Sequence, residues 1–467
     1  FDLNSPAQLN STEIIGNFAT SGGGLYSLSS VSAEDLTCSS NNATEQGGCM
    51  YLAGASTLSQ SWFTDNMANT GGGLFSTGSV TIFNCTMTSN LATFAGGAVF
   101  VIGNGPVSII SLMARQNMCS HGIGGACYLD LSGSLLKDTP LFMSNSVFDE
   151  NQSAGMHGGA LFLGGSSGSS PVSISRTNFI RNMAKFSGGA IIVTDAMTVS
   201  FQNCLFQQNS ASHGGVGRFS DFSSVQFSDQ CQFNDNTATL EGGVFHCRDE
   251  SLITVDNAAF DSNSVYEGPG GAVSLSGSSS FVGTQLVARD SFASSKGGFL
   301  YMSDKSKATL STSIFQDHVA QYGGVVYSIS TSSQSDVSGA EPTLVLSNVH
   351  MSYNAAQFQG GALWTQANGV SFHDNVYISG NSAHSGGGLF VGLGAPAATS
   401  SICDSPSPPI SVVGCGFQVA GIVNFESNTA RSPNISTSVI DGSGGGVWNM
   451  CAACTLCHTH THTLSLS

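Results

Sequence analysis

The side chains that could do chemistry are few and scattered in this 467-residue chain. Cleaving a polysaccharide needs two or three carboxylates converging on one spot, or a calcium ion beside an arginine or lysine. The regularly placed acids, Asp149, Glu150, Asp235 and Asp261, are spread along the chain and alternate with Arg181, Gln207, Gln208 and Asn234. They read as a solvated face, so no catalytic residue is assigned. His157 and His213 each precede a glycine pair two repeats apart, about 10 Å at strand spacing, which is too far to share a metal ion. The run Cys451-x-x-Cys454-x-x-Cys457-His458 contains the haem attachment pattern and many potential zinc ligands. It continues as Thr459-His460-Thr461-His462, which is low-complexity sequence. The tail over 451–467 is therefore read as incidental, and neither a metal nor a cofactor is expected.

Composition narrows the class. The chain has 12 basic and 29 acidic residues, a net charge of −17, and only 9% charged residues. An ordinary domain carries about 25%. No basic surface of that size could neutralise nucleic-acid phosphates, so nucleic acid is excluded as a partner. Helical bundles and coiled coils need far more Glu, Lys and Leu. The 58 glycines have no three-residue period, which excludes collagen. With 40% hydrophobic residues and 29 phenylalanines, the chain is also too apolar for disorder. No run of 18 apolar residues could span a bilayer as a helix, and no leader is recognisable.

One phrase recurs: an apolar residue, two variable residues, Asn, a short spacer, Gly-Gly, then an apolar alternation. Phe148-x-x-Asn151 leads to Gly158-Gly159, Phe179-x-x-Asn182 to Gly188-Gly189, and Phe233-x-x-Asn236 to Gly242-Gly243. Counted from Gly23 to Gly445, fifteen such pairs occur, mostly 24 to 30 residues apart. That period marks a solenoid. The alternation over four to six positions (Val99 and Val101, Leu161 and Leu163, Ile191 and Val193) marks half-buried strands. The expected fold is all-β: a single right-handed parallel β-helix of about fifteen coils.

Such stacking assigns a task to each position. Phenylalanines pile on one another in the core. Asn66, Asn90, Asn151, Asn182, Asn209, Asn236, Asn263, Asn354 and Asn381 form a structural ladder, amide to amide, with Asp290 and His318 in the units that lack Asn. Gly-Gly permits a sharp corner. Cys204 and Cys231 share a repeat position in adjacent coils and are candidates for a disulfide, as are Cys38 with Cys49, Cys119 with Cys127, and Cys403 with Cys415. Sequons at Asn10, Asn42, Asn84 and Asn434 offer N-glycosylation sites, and with the cysteines they favour an oxidising, extracellular setting.

The phrase resembles the repeat of the chlamydial polymorphic outer-membrane proteins, in which Gly-Gly-Ala-(Ile/Leu/Val) alternates with Phe-x-x-Asn. Six units here read Gly-Gly-Ala, at Ala98, Ala126, Ala160, Ala190, Ala272 and Ala362. The likeness spans roughly residues 14 to 450. It implies a pectin-lyase-like right-handed β-helix displayed outside the cell as an adhesin, although no membrane barrel follows in this chain.

The expected organisation is coils over 1–391, a Pro/Ser-rich inserted loop over 392–416, the last coil or coils over 417–450, and the tail. Within the strand after each glycine pair, the fourth position should point outward. It holds Phe100, Tyr128, Phe162, Tyr301, Tyr327 and Trp364, an exposed aromatic row suited to contact. The functional expectation is a secreted or cell-surface adhesive or structural module whose partner is a surface protein, a glycan or another copy of itself. The alternatives are a carbohydrate-active lyase or hydrolase, and a self-assembling filament subunit.

Overall fold

The computed structural model describes residues 2–3, 5–103, 105–132, 141–165, 171–329, 342–366, 369–392, 417–430 and 447–449. Every regular element among them is a strand, and the strands pair in parallel, one turn to the next. The chain is a parallel β-solenoid of about 13 turns. It forms two compact units, Phe1–Ala238 with Val244–His246, and Thr239–Gly243 with Cys247–Ser467. The inserted-loop residues 393–416, the tail 451–467, Cys403, Cys415 and Asn434 lie outside the described residues.

One turn of the first unit shows how sequence becomes coil. After the glycine corner, Leu74–Ser76 lies on a first face, Val80–Phe83 and Thr86–Thr88 on a second, and Leu91–Ala95 on a third. Alternation sends Val80, Ile82 and Met87 inward and leaves Thr81, Phe83, Thr86 and Thr88 facing out. In the second unit the second face is one continuous strand per turn, as in Lys307–Gln316 and Thr343–Ser352.

Register puts like residues on like. Phe148, Phe179, Phe206 and Phe233 are fully buried and stacked, with successive ring centroids 5.1, 5.1 and 5.2 Å apart. Phe201 and Phe227 meet this column edge-on. In the second unit Phe299 sits edge-on between Phe260 and Phe315. Each buried ring stabilises by about 2–3 kcal/mol through area alone, and ring pairing adds roughly 1 kcal/mol.

The asparagines form the expected ladder, and the nine named above are fully buried. Asn182 is typical. Its Oδ1 accepts the backbone N–H of Asn151 at 3.0 Å and the Asn151 Nδ2 at 3.0 Å. Its own Nδ2 donates to the Phe148 carbonyl at 2.9 Å and to Asn209 Oδ1 at 3.1 Å. Asn41, Asn117 and Asn428 also belong to the ladder, although Cys38 and Ala114 stand where the first two units would carry Phe. Asp290 does not belong. The ladder position of that turn is Ser291, whose N–H meets His318 Nδ1 at 3.1 Å, while Asp290 is exposed at the left-handed corner one residue earlier (φ 53°).

The two glycines of each pair answer different demands. Gly158 has φ +66°, whereas a Cβ on Gly159 would collide with the Gly189 carbonyl of the next turn. Where three glycines run together, the corner begins one residue earlier than a count from the sequence suggests, at Gly22, Gly71 and Gly386.

Cys38 and Cys49 form a disulfide. The other candidate pairs among the described residues do not: Cys204, Cys231, Cys119 and Cys127 are free, buried thiols. Cys204 and Cys231 occupy a column that binds the backbone instead. Cys231 Sγ accepts the Cys204 N–H at 3.5 Å and donates to the Ser228 carbonyl at 3.2 Å. Ser61 and Ser146 do the same with hydroxyls. Burial pushes the Cys119 thiol up to about 11 and Cys127 up to about 12, so neither is a nucleophile.

Candidate interaction faces

The aromatic row exists, in register, and it is longer than expected. In the first unit Tyr26, Tyr51, Phe75, Phe100, Tyr128 and Phe162 stack with centroids 4.6, 5.1, 5.0, 4.6 and 4.6 Å apart. In the second unit Tyr301, Tyr327, Trp364 and Phe390 stack at 5.9, 4.1 and 6.2 Å. Its exposure differs from expectation: Phe100, Tyr327 and Trp364 are buried, and Tyr128, Phe162 and Tyr301 are half-buried. The cause is the spacing of the turns, which places each ring within van der Waals reach of the next. Residues at the glycine corner add cover, with Ala95 and Ile123 on one stack and Tyr322 on the other. Lys296 Nζ lies 5.0 Å from the Tyr327 ring centre, and Trp364 Nε1 donates to Gln359 at 3.1 Å. Burial, with Asp130 and Asp195 nearby, pushes the Tyr128 phenol up to about 12. The row is therefore a second, smaller core laid on the outside of the sheet.

In the first unit Arg218 and His246 occupy the same row position as polar members. Arg218 Nη1 donates to Ser187 Oγ at 3.5 Å, and the His213 and His246 rings are 5.2 Å apart. His157 stays neutral to lower pH than usual because of burial, Arg218 and His213. Two of the acids weighed for catalysis, Asp149 and Glu150, form a surface ion network with Arg115 and Arg181. Asp149 accepts two bonds from Arg181 Nη2, at 2.7 and 2.8 Å, and lies 3.5 Å from Arg115 Nε. Gln116, then the two arginines, hold Glu150 below the usual carboxylate range. No group of three or more His, Cys, Asp or Glu side chains suited to a metal ion occurs among the described residues.

Exposed apolar side chains lie on the other two faces. In the first unit the residue directly after each ladder asparagine forms an outward column of Met67, Leu91, Met118, Gln152 and Met183. Met67 is 41% exposed and Met183 43%. The recurring Asn-Met and Asn-Leu steps are visible in the sequence and could have revealed this column. On the second face Trp62 and Met113 are exposed. In the second unit Val287, Ile314, His350 and Tyr377 align on the second face and are exposed. Of the sequons, Asn10 and Asn84 are exposed and Asn42 is half-buried.

Among the described residues no helix is long and apolar enough to cross a membrane. The fold thus defines a class, a parallel β-solenoid that presents repeated outer faces. Compared with protein-family models, curated proteins and solved structures, the chain shows no match.

Proposed function

We propose that the chain is an adhesive or structural module, secreted or held at a cell surface, that binds by repetition of weak contacts. The observation that carries this reading is the outward column Met67, Leu91, Met118 and Met183 of the first unit, interrupted by Gln152, in which Met67 and Met183 are exposed and Leu91 and Met118 half-buried in register. Monomeric proteins rarely leave such rows uncovered without a partner, and methionine adapts to surfaces of varied shape. Identical spacing lets several contacts form at once, so that avidity replaces single-site affinity. The likeness of the repeat to the chlamydial polymorphic outer-membrane proteins, and the disulfide Cys38–Cys49, agree with a place outside the cell.

The test is a binding screen of the whole chain against surface proteins and glycans, run beside a Met67→Ser, Leu91→Ser, Met118→Ser variant. Binding to the captured partner should fall at least tenfold in the variant while the melting temperature holds. Equal binding would remove the column from the interface. Release of reducing sugar from polysaccharide would replace adhesion with catalysis, and growth in particle size with concentration would replace it with self-assembly.

A further inference from the structure

In most turns the residue just before the ladder position adopts the left-handed conformation, and small or polar side chains hold that corner: Ser262, Asp290 and Asp317 in the second unit. The next turn puts Tyr353 there, at φ 58° and 65% exposed. A bulky side chain in that region is a true outlier, and such strain tends to be retained where it positions a side chain for use. The turn above accommodates it. Its corner residue is Gly380, and a Cβ there would come within 2.9 Å of Tyr353 Cδ1 and Cε1, so the ring leans on the glycine and is otherwise open to water.

A second exposed tyrosine stands beside it. Tyr377, 43% exposed, meets the His350 ring edge-on at 6.0 Å, and His350 Nε2 hydrogen-bonds Ser379 Oγ at 3.2 Å. His350 and Tyr377 are register partners, and Tyr353 lies three residues beyond His350. Tyr353 stands at the corner just past the end of the strand Thr343–Ser352, and Tyr377 is three residues before the Gly380 corner of the next turn, so the two rings flank the same corner on adjoining turns. Rings with an apolar face and a polar tip, beside hydroxyl and imidazole groups, suit sugars, which offer C–H faces and hydroxyl edges together. Asp317 is exposed at the adjoining corner, and Glu426 is exposed in the turn beyond Gly380.

We propose that Tyr353 and Tyr377, with His350 and Ser379, form a subsite for a neutral polysaccharide, with the flanking acids turning polyuronates away. The proposal rests on the adhesive reading and adds to it one ligand class, held at a second place in the second unit.

Affinity electrophoresis of the full chain through gels containing a soluble cellulose derivative, galactomannan or polygalacturonate tests it. The parent should be retarded by a neutral polymer and not by polygalacturonate. Tyr353→Gly should weaken that retardation at least tenfold while the melting temperature stays level or rises, because glycine adopts the left-handed corner freely. Tyr377→Ser should weaken it similarly, and the Met67, Leu91 and Met118 variant should not. Retardation by polygalacturonate alone, no retardation by any polymer, or undiminished retardation of both tyrosine variants overturns the subsite. The adhesive reading would then stand or fall on its own screen.

Discussion

His318 Nδ1 accepts the backbone N–H of Ser291 at 3.1 Å, the bond that an asparagine carbonyl makes in neighbouring turns. The imidazole is fully buried beside Phe299 and Phe315, and its Nε2 has no hydrogen-bond partner. Burial lowers its pKa from 6.5 to about 3. The unfolded chain therefore binds a proton at higher pH than the folded one. This contribution is intact above about pH 6.5 and is lost as the pH falls toward 3, about 5 kcal/mol in all. His318→Asn should flatten that part of the pH–stability profile and raise the melting temperature at pH 4. Denaturation followed at several pH values checks it, and an unchanged slope would clear His318 of the role.

The ladder makes a sharper demand at Asn182, which joins Asn151, Phe148 and Asn209 in the first unit. Replacing it with alanine leaves buried donors and an acceptor unmet in two directions at once. At about 1–3 kcal/mol for each stranded group, Asn182→Ala should cost roughly 3–5 kcal/mol. A urea titration reads this directly, and a loss below about 1 kcal/mol would mean that the ladder is ornamental.

Much of this is legible in the pattern of residue types alone. Phe-x-x-Asn and Gly-Gly repeat because each turn of a solenoid poses the same steric problem, and Phe148, Phe179 and Phe206 do pile up. Other features were hidden for physical reasons. Alternation tells which way Phe100 points, but not that Phe75 and Tyr128 would close over its two faces. Three consecutive glycines do not announce which pair turns the corner, so counting from Gly23 or Gly72 misplaces Tyr26 and Phe75, whereas Tyr51 stands four residues after Gly47 and is legible in the sequence. Spacing brings Cys204 near Cys231, yet it cannot say that both sulfurs serve backbone groups instead. Tyr353 is a further case, since a left-handed backbone angle at tyrosine leaves no trace in a pattern of residue types.

The aromatic stacks act in stability rather than as an open contact surface. Phe100 lies between Phe75 and Tyr128 and is buried. Phe100→Ala should therefore destabilise the first unit, by about 3 kcal/mol on the scale of core phenylalanines. A Tyr301→Ala, Tyr327→Ala, Trp364→Ala variant should likewise melt earlier than the parent. Calorimetry of both decides the point. Unaltered melting would return these rings to the surface and make them available to a partner.

Thiol chemistry offers the last test. The disulfide joins Cys38 to Cys49 across 11 residues, and closing a loop of that length restricts the unfolded chain by about 2–3 kcal/mol. Reduction should lower the denaturation midpoint accordingly. Under native conditions Cys85, Cys119, Cys127, Cys204, Cys231 and Cys247 are buried and free, so an alkylating reagent should modify them only after denaturation. Peptide mapping by mass spectrometry distinguishes the two groups. Recovery of a Cys204–Cys231 crosslink from untreated protein would show that the thiol column closes, and recovery of Cys38 as a free thiol would remove the crosslink from the first unit.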